Sequence, residues 1–438
     1  MKNNYEQIEA WTDALYDEVK SIRRDFHKYP EPGWAEIRTS SLIARKLQEL
    51  GYQVLTGEKV CSKSGMMGLL SEEEFSAEYQ RAIEEGADLC FAQEMQNGFT
   101  GVIGILKNGE GPVVALRFDI DALYILENST TEHRPFREGF SSINSRYMHA
   151  CGHDGHAAMG LAVAEVMMKL KDEIHGTLKL IFQPAEEGVR GARAIVEQGH
   201  LDDVDYLIGS HITPADNYEG DVIPGAYGAL ATTKIDVVYH GRAAHAGSAP
   251  EKGKNVMLGV AAAISNLYSI PRNGKGASRV NVGTATAGTG RNVIADYAKM
   301  QIEVRGETSQ INEYMENYAM RILKTAAEMH DLECEVKLMG AAITIKSDES
   351  LIKRVREVCE KNLKTVKLTK EDTMHLGGSE DFSLMMKRVQ QKGGEATFLR
   401  VLAKLSDIPH GTRFDFDEKC LLPGIKVFCA AVYDLMKA

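Results

Sequence analysis

The feature that most constrains the fold of this chain is an alternation of strand-like and helix-like segments in which successive strands run into acidic or histidine side chains. These strand-like runs, each with the side chains that follow it, are 113–117 with Asp119 and Asp121, 177–182 with Glu186 and Glu187, and 204–209 with His211. Alternating strands and helices favour a mostly parallel sheet, and the ligands of such open sheets gather at the carboxyl ends of the strands. We therefore predict an α/β domain with a functional site at that edge.

The pattern changes between residues 225 and 340. Strand-like runs at 232–240, 279–286 and 298–305 surround helix-like runs at 254–267 and 312–330, which is typical of a compact α+β unit. With 438 residues, the chain is also longer than one hydrophobic core usually supports. We predict a sheet domain formed by 1–224 and 341–438, interrupted by a smaller α+β domain at 225–340.

Charge and hydropathy exclude several classes of protein. The net charge of −11 argues against a surface for nucleic acid or for anionic membranes. No apolar segment is long enough to span a bilayer, and residues 1–24 lack the apolar stretch of a signal peptide, so we expect a cytoplasmic protein. The seven cysteines are scattered and odd in number, which does not favour a disulfide framework.

A turn signal precedes the central motif of the chain. Asn108-Gly109-Glu110-Gly111 separates strand-like runs at 101–106 and 113–117, and a short Asn-Gly turn between two such runs is typical of a β-hairpin. Residues 63–97, ahead of these strands, are charged and helix-prone, and they contain no pattern that carries chemistry. We predict a strand pair here, preceded by a helical insertion.

Metal-ligand side chains are densest between Met148 and His156, in the run MHACGHDGH. A thiol, imidazoles and a carboxylate together offer soft, borderline and hard donors to a metal ion. Cys151 and His153 are two positions apart, so an extended backbone at the intervening Gly152 would put both side chains on one face. We interpret the run as half of a metal site, in which the remaining polar side chains are either ligands or supporting residues.

Glu186 and Glu187 are adjacent and therefore point in different directions. In a hydrolytic metal centre, one carboxylate can bind metal while its neighbour takes a proton from bound water. A solvated pair of loop carboxylates is the alternative. His211 at a strand end and the distant His410 are candidate ligands with weaker support, and no GxSxG, P-loop or GxGxxG motif indicates a rival chemistry.

Together these motifs resemble a known family. The run MHACGHDGH, FQPAEEG some thirty positions later, GSH at a strand end, AAHAG in the insert, RRDFHKYPEPGWAEIRT near the start and RFDFDE near the end are similar to the aminoacylase and carboxypeptidase family of metallopeptidases. Within it, the chain resembles the amidohydrolase branch that includes hippurate and indoleacetyl-amino-acid hydrolases. The resemblance covers nearly the whole chain, and it implies that the sheet domain is catalytic and that the insert is a lid or dimerisation domain.

The resemblance implies a site with two divalent metal ions, zinc or manganese. It implies Cys151 as the bridging ligand, Glu186 as the general base and Asp121 as the residue that orients a ligand. The remaining implied ligands are His153, Glu187, His211 and His410. Where carboxypeptidase relatives have His-x-Asp, this chain has Asp119-Ile120-Asp121, so His153 is expected to take over as a ligand.

In the insert, the resemblance implies that His245 reaches into the active site of a neighbouring protomer, where it stabilises a developing oxyanion. It implies that Asn292 and Arg305 contact the carboxylate of the released amino acid, a task for which an arginine fork is well shaped. For Arg305, a solvated surface charge remains the alternative.

The expected reaction is therefore the hydrolysis of p-aminobenzoyl-glutamate to p-aminobenzoate and glutamate. The expected assembly is a homodimer or a hetero-oligomer with a related B subunit. Hydrolysis of other N-acyl amino acids or dipeptides is the alternative activity, and a non-catalytic assembly partner is the alternative from another class.

Overall fold

The computed structural model describes residues 3–437 and contains two compact units. The first comprises the described part of Met1–Tyr227, Ile345–His375 and Phe382–Ala438. The second comprises Gly228–Thr344 and Leu376–Asp381. The insert thus begins at residue 228 rather than at 225, ends at 344 rather than at 340, and is accompanied by a short segment from later in the chain.

Helices occur in both units. In chain order they are α1 (Asn4–Ala14), α2 (Tyr16–Lys28), α3 (Ile37–Leu50), α4 (Glu72–Glu84), α5 (Leu89–Ala92), α6 (Arg134–Arg137), α7 (His153–Lys169), α8 (Ala192–Glu197), α9 (Val256–Tyr268), α10 (Ser309–Glu328), α11 (Glu349–Asn362), α12 (Phe382–Gln391) and α13 (Leu421–Met436). Within residues 3–437, no helix has both the length and the apolar character needed to cross a membrane.

The strands form three sheets. In chain order they are β1 (Gln53–Thr56), β2 (Val102–Asn108), β3 (Val113–Asp119), β4 (Gly176–Gln183), β5 (Tyr206–Pro214), β6 (Val222–Ile223), β7 (Ala226–Tyr227), β8 (Ala231–His240), β9 (Ser278–Ala287), β10 (Tyr297–Gly306), β11 (Glu333–Ala342), β12 (Met374–His375) and β13 (Glu395–Ala403). The first unit contains a large sheet of order β1-β2-β4-β3-β5-β13-β6 and the small pair β12-β7.

The predicted α/β class is confirmed, and the large sheet is mixed. Its central pairs β4-β3, β3-β5 and β5-β13 are parallel. The outer pairs β1-β2, β2-β4 and β13-β6 are antiparallel. The carboxyl ends of β3, β4 and β5 consequently lie at one edge, as the strand-end pattern predicted.

The predicted hairpin is wrong. β2 and β3 do not pair, because β4 lies between them, antiparallel to β2 and parallel to β3. The Asn-Gly turn reverses the chain, but pairing is decided by burial. β4 is buried along nearly its whole length, so it occupies an interior position with a neighbour on each side.

The helix α7 lies in the core of the first unit and packs against α2, α13 and β3. Nearly all of its residues are buried, which explains a sequence that is apolar on every face. Gly160 lets the helix approach the sheet closely, since a Cβ there would lie 2.6 Å from the Phe182 ring and 2.7 Å from the Phe118 ring. α7 thereby carries the central motif to the sheet edge.

The second unit is an antiparallel sheet of order β11-β8-β10-β9 with α9 and α10. The inward side chains of these strands and helices form its own hydrophobic core. Thr308 caps α10, since its hydroxyl accepts a hydrogen bond from the Ile311 backbone N–H. This unit matches the two-helix α+β insert expected from the sequence and adds the strand β11.

Candidate metal centre

The side chains expected at the strand ends converge in the first unit. Asp121 follows β3, Glu186 and Glu187 follow β4, and His211 lies in the second half of β5. Cys151 and His153 stand at the start of α7, and His410 comes from the segment after β13.

Two groups of candidate ligands share one residue, Cys151. The first group is Cys151, His153 and His211, and the second is Cys151, Glu187 and His410. Within each group the ligand atoms lie within 4.8 Å of one another. The Cys151 Sγ is 3.3 Å from His211 Nε2, and Glu187 Oε1 is 3.5 Å from His410 Nε2. A thiol common to two groups is the arrangement expected of a bridge between two metal ions.

The backbone that brings Cys151 and His153 together differs from the predicted extended one. Gly152 has a φ of 93° and a ψ of 10°, in the left-handed region, and His153 is already the first residue of α7. Glycine adopts this conformation without the steric penalty of a Cβ. The convergence of the two side chains therefore depends on a left-handed turn and not on strand geometry.

The two buried histidines of the first group are held in the orientation that metal ligands need. His153 Nδ1 donates to the Asp121 carbonyl oxygen at 2.9 Å, and His211 Nδ1 donates to the Ile212 carbonyl oxygen at 2.6 Å. These bonds assign the ring proton to Nδ1 and leave the lone pair on Nε2. His153 Nε2 is buried and has no hydrogen-bond partner within residues 3–437.

The Asp121 carboxylate organises the loop after β4. It accepts the backbone N–H of Glu186 and that of Glu187, each at 3.0 Å, and its Oδ1 lies 3.3 Å from His153 Nδ1. The loop needs such support because Ala185 (φ 52°) and Val189 (φ 60°) have left-handed backbones without being glycines. One carboxylate thus fixes both glutamates and one imidazole.

The donor set fits a divalent cation. Burial, partly opposed by His153, raises the pKa of Glu187 to about 7. Its Oε1 is buried and makes no hydrogen bond to any described residue. Burial also raises the pKa of the Cys151 thiol. Orphaned acceptors gathered at one place are costly without a cation, and a bound metal would favour the carboxylate and thiolate forms.

The other side chains of the central motif have different surroundings. In His156, Nδ1 bonds to the Asp119 carboxylate and Nε2 accepts the Ile212 N–H at 2.9 Å, so both ring nitrogens are engaged. Arg117 holds the other oxygen of Asp119 at 2.6 Å. His149 is buried and carries no hydrogen bond on either ring nitrogen among the described residues, and burial lowers its pKa to about 3. His156 and Asp119 are therefore committed to protein partners rather than to a metal.

The sequence reasoning assigned no role to Arg23 and His27, which the structure buries completely beneath the central motif. Arg23 Nε and His27 Nδ1 both lie 2.8 Å from Asp154 Oδ2. Their i,i+4 spacing on one helix was the available signal, because residues four apart share a helix face.

Three candidate residues lie in the second unit. His245 is exposed, and its Nδ1 accepts the backbone N–H of Gly247 and of Ser248, both at 3.1 Å. A neutral His245 ring therefore carries its proton on Nε2. Asn292 is exposed, and its carbonyl oxygen accepts the N–H of the residue after His245 at 3.1 Å.

Arg305 is half-buried on β10 and is already paired. Its Nε and Nη2 donate to the Glu303 carboxylate at 2.8 and 3.0 Å. A substrate carboxylate would have to share or displace Glu303. The expected role of Arg305 therefore has a competitor on its own strand.

Comparison with known proteins agrees with this geometry. The chain is 41% identical to the A subunit of p-aminobenzoyl-glutamate hydrolase from Escherichia coli, over 95% of each chain. It is 43% identical to indole-3-acetyl-aspartic acid hydrolase of Enterobacter agglomerans, over 94% of this chain and 95% of that one. The crystal structure of an aminobenzoyl-glutamate utilization protein from Klebsiella pneumoniae superposes with a TM-score of 0.83 and 35% identity, covering 98% of both chains.

A more distant structure shares the fold. A Bacillus subtilis protein described as a dinuclear metal binding peptidase of the M20 family superposes with a TM-score of 0.63 and 23% identity, covering 97% of this chain and 99% of that one. The sequence profile of peptidase family M20/M25/M40 matches residues 115–434, which is most of the chain. By this match and by its full-length relatives, the chain is a hydrolase that belongs to peptidase family M20/M25/M40.

Proposed function

We propose that this protein is a metal-dependent amidohydrolase that cleaves p-aminobenzoyl-glutamate to p-aminobenzoate and glutamate. The observation that carries the proposal is the pair of ligand groups that meet at Cys151 beside the buried Glu186. The substrate is taken from the Escherichia coli relative, whose name states it.

One ion would be held by Cys151, His153 and His211, and the other by Cys151, Glu187 and His410. Thiolate and imidazole ligands favour zinc, whereas carboxylate ligands also admit manganese. When bound, such ions polarise an amide carbonyl and lower the pKa of a bound water.

Glu186 is the proposed general base. Its Oε2 lies 4.0 Å from His153 Nε2, so it borders the proposed ligands while the adjacent Glu187 points into the second group. Glu186 would take a proton from the attacking water and later deliver one to the amine of the leaving glutamate. The two bonds from Asp121 to the loop backbone would hold the base in place during both transfers.

The second unit would supply substrate contacts. An Nε2–H on His245 is a suitable donor to the oxyanion that forms on the substrate carbonyl. Asn292 and Arg305 are proposed to bind the glutamate carboxylates, with Arg305 exchanging or sharing Glu303. The Escherichia coli relative is by its name one of several subunits, which supports a hetero-oligomer with a related B subunit, and a homodimer is the other proposed assembly.

The general-base assignment is tested with Glu186→Gln, which preserves size but cannot accept a proton. We expect turnover to fall by about a thousandfold while elemental analysis still finds the wild-type metal content. Glu197→Gln, on α8 away from the ligand groups, is the matched control and should keep normal turnover. Near-normal turnover in a metal-loaded Glu186→Gln protein would disprove the assignment.

The Enterobacter relative favours a second candidate substrate, indole-3-acetyl-aspartate. A panel of acyl-glutamates, acyl-aspartates, acyl-glycines and dipeptides separates the candidates through kcat/KM. We expect the highest value for p-aminobenzoyl-glutamate. A preference for the indoleacetyl-aspartate conjugate would replace the substrate and keep the chemistry, and indifference to the amino-acid side chain would remove the proposed carboxylate contacts.

A further inference from the structure

Arg23 and His27 form a buried charge network that the proposed reaction does not use. Both lie on α2, one helical turn apart, and both side chains have no exposed surface. Arg23 makes three contacts with carboxylates. They are Nε to Asp154 Oδ2 at 2.8 Å, Nη2 to Asp415 Oδ1 at 2.9 Å and Nη1 to Glu418 Oε1 at 3.3 Å.

His27 extends the network in a second direction. Its Nδ1 lies 2.8 Å from Asp154 Oδ2, and its Nε2 lies 3.0 Å from Glu127 Oε1. Glu127 in turn is 2.7 Å from His133 Nε2 and accepts the Ser142 N–H. Asp154 is thus held by two cationic side chains from the same face of α2.

The carboxylates in this network belong to the segments that carry proposed ligands. Asp154 directly follows His153 on α7. Asp415 lies five positions after His410, whose own backbone N–H donates to the Ala150 carbonyl at 2.8 Å. His410 has a φ of 67°, a left-handed conformation that a histidine keeps only when its surroundings enforce it. Arg23 therefore connects both halves of the ligand set.

An arginine is specifically suited to this connection. Its planar guanidinium directs five donors along fixed lines, whereas a lysine ammonium is a single point charge. The Arg23 guanidinium also lies 4.4 Å from the Phe416 ring centroid and 5.2 Å from that of Phe140, so it is stacked as well as paired. Buried ion pairs often add little stability compared with apolar packing, and fixing a particular geometry is one use they can have.

We propose that Arg23 and His27 are positioning residues of the metal centre, which hold the His153 segment and the His410 segment at the separation that two metal ions require. This inference rests on the proposed metal centre. It gives the N-terminal RRDFH motif a task in metal binding.

The test compares Arg23→Lys and Asp154→Asn with the wild type. The affinity for zinc is measured by competition with a chelator, and the cobalt-substituted proteins are examined for the thiolate-to-cobalt absorption band. We expect zinc affinity to fall about tenfold or more in both variants, together with a shifted cobalt band, because supporting contacts of metal ligands typically have effects of this size.

Lys426→Met is the matched control. It removes the ion pair of another buried side chain of the first unit, from Lys426 Nζ to Asp13, that contacts no proposed ligand. We expect this variant to lose thermal stability but to keep the wild-type zinc affinity and cobalt spectrum. If zinc affinity in all three variants merely follows the loss of melting temperature, the network is structural and the proposal is wrong.

The outcomes also separate this inference from the proposed function. A wild-type protein that binds no zinc or cobalt would overturn the metal centre itself. A wild-type protein with two ions, matched by Arg23→Lys and Asp154→Asn proteins of equal affinity and unchanged spectrum, would overturn only the positioning role.

Discussion

At the scale of single residues, Cys151 has the most demanding position in the molecule. Its sulfur is common to both ligand groups, and its own group includes His211 Nε2 at 3.3 Å. The nearby His156 and Asp119 are committed to bonds with other parts of the protein. A soft thiolate shared by two cations is therefore the chemistry that this position favours.

We predict that Cys151→Ala reduces the metal content of the purified protein from two ions per chain to at most one and abolishes amidase turnover. The reason is that each proposed ion loses a ligand when the shared sulfur is removed. Cys429→Ala, which removes another buried thiol on α13, is the control and should keep both ions. Elemental analysis decides, and an unchanged content of two ions would show that Cys151 is not a ligand.

At the scale of elements, α7 connects the core to the site. Its first residue is His153, and its middle packs on Phe118 and Phe182, whose ring centroids are 5.5 Å apart. The depth of the helix against the sheet therefore sets the depth of the metal ligands. Gly160 determines that depth because only hydrogen fits at this point of contact.

We predict that Gly160→Ala lowers the free energy of unfolding by about 1–3 kcal/mol, despite the better helix propensity of alanine, because the added methyl overlaps two buried rings. Chemical denaturation provides the measurement. Gly274→Ala, in a loop with open space around the Cβ position, should change stability little. An unchanged or raised stability of Gly160→Ala would mean that α7 can shift without cost.

At the scale of the whole molecule, the chain buries charges in compensated sets. Burial and the Arg23 charge lower the pKa of His27, but hydrogen bonds to Asp154 and Glu127 outweigh them and raise it to about 9. Burial raises the pKa of Glu127, and the bonds from His133 and His27 outweigh it, so that this pKa is lowered to about 2. The imidazolium of His27 is therefore part of the folded structure at neutral pH.

This coupling predicts a pH dependence of stability. The pKa of His27 is about 9 in the folded state and about 6.5 in the unfolded one, so its contribution is complete below pH 6.5 and is lost as the pH rises through 9. We expect the unfolding free energy of the metal-free protein to fall across this window by on the order of 3 kcal/mol from this residue. In His27→Gln, the curve measured by denaturant titration should be flatter, and an identical slope would contradict the assignment.

Some expectations about the whole molecule remain predictions. They are the cytoplasmic location, the homodimer or hetero-oligomer, the identity of the metal, and the roles of His245, Asn292 and Arg305. The family and its hydrolytic activity are confirmed by relatives that match along almost the full length of the chain.

The sequence by itself determined the fold class, the family and the types of side chain available as ligands, because these depend on local patterns and on residue chemistry. Tertiary structure alone decided that β4 separates β2 from β3, and that a left-handed Gly152 aligns Cys151 with His153. It also decided that Arg23 and His27 contact Asp154 from α2, directly beneath the site. Strand order, backbone handedness and the partners of buried charges follow from contacts between residues far apart in the chain, and local periodicity contains no information about such contacts.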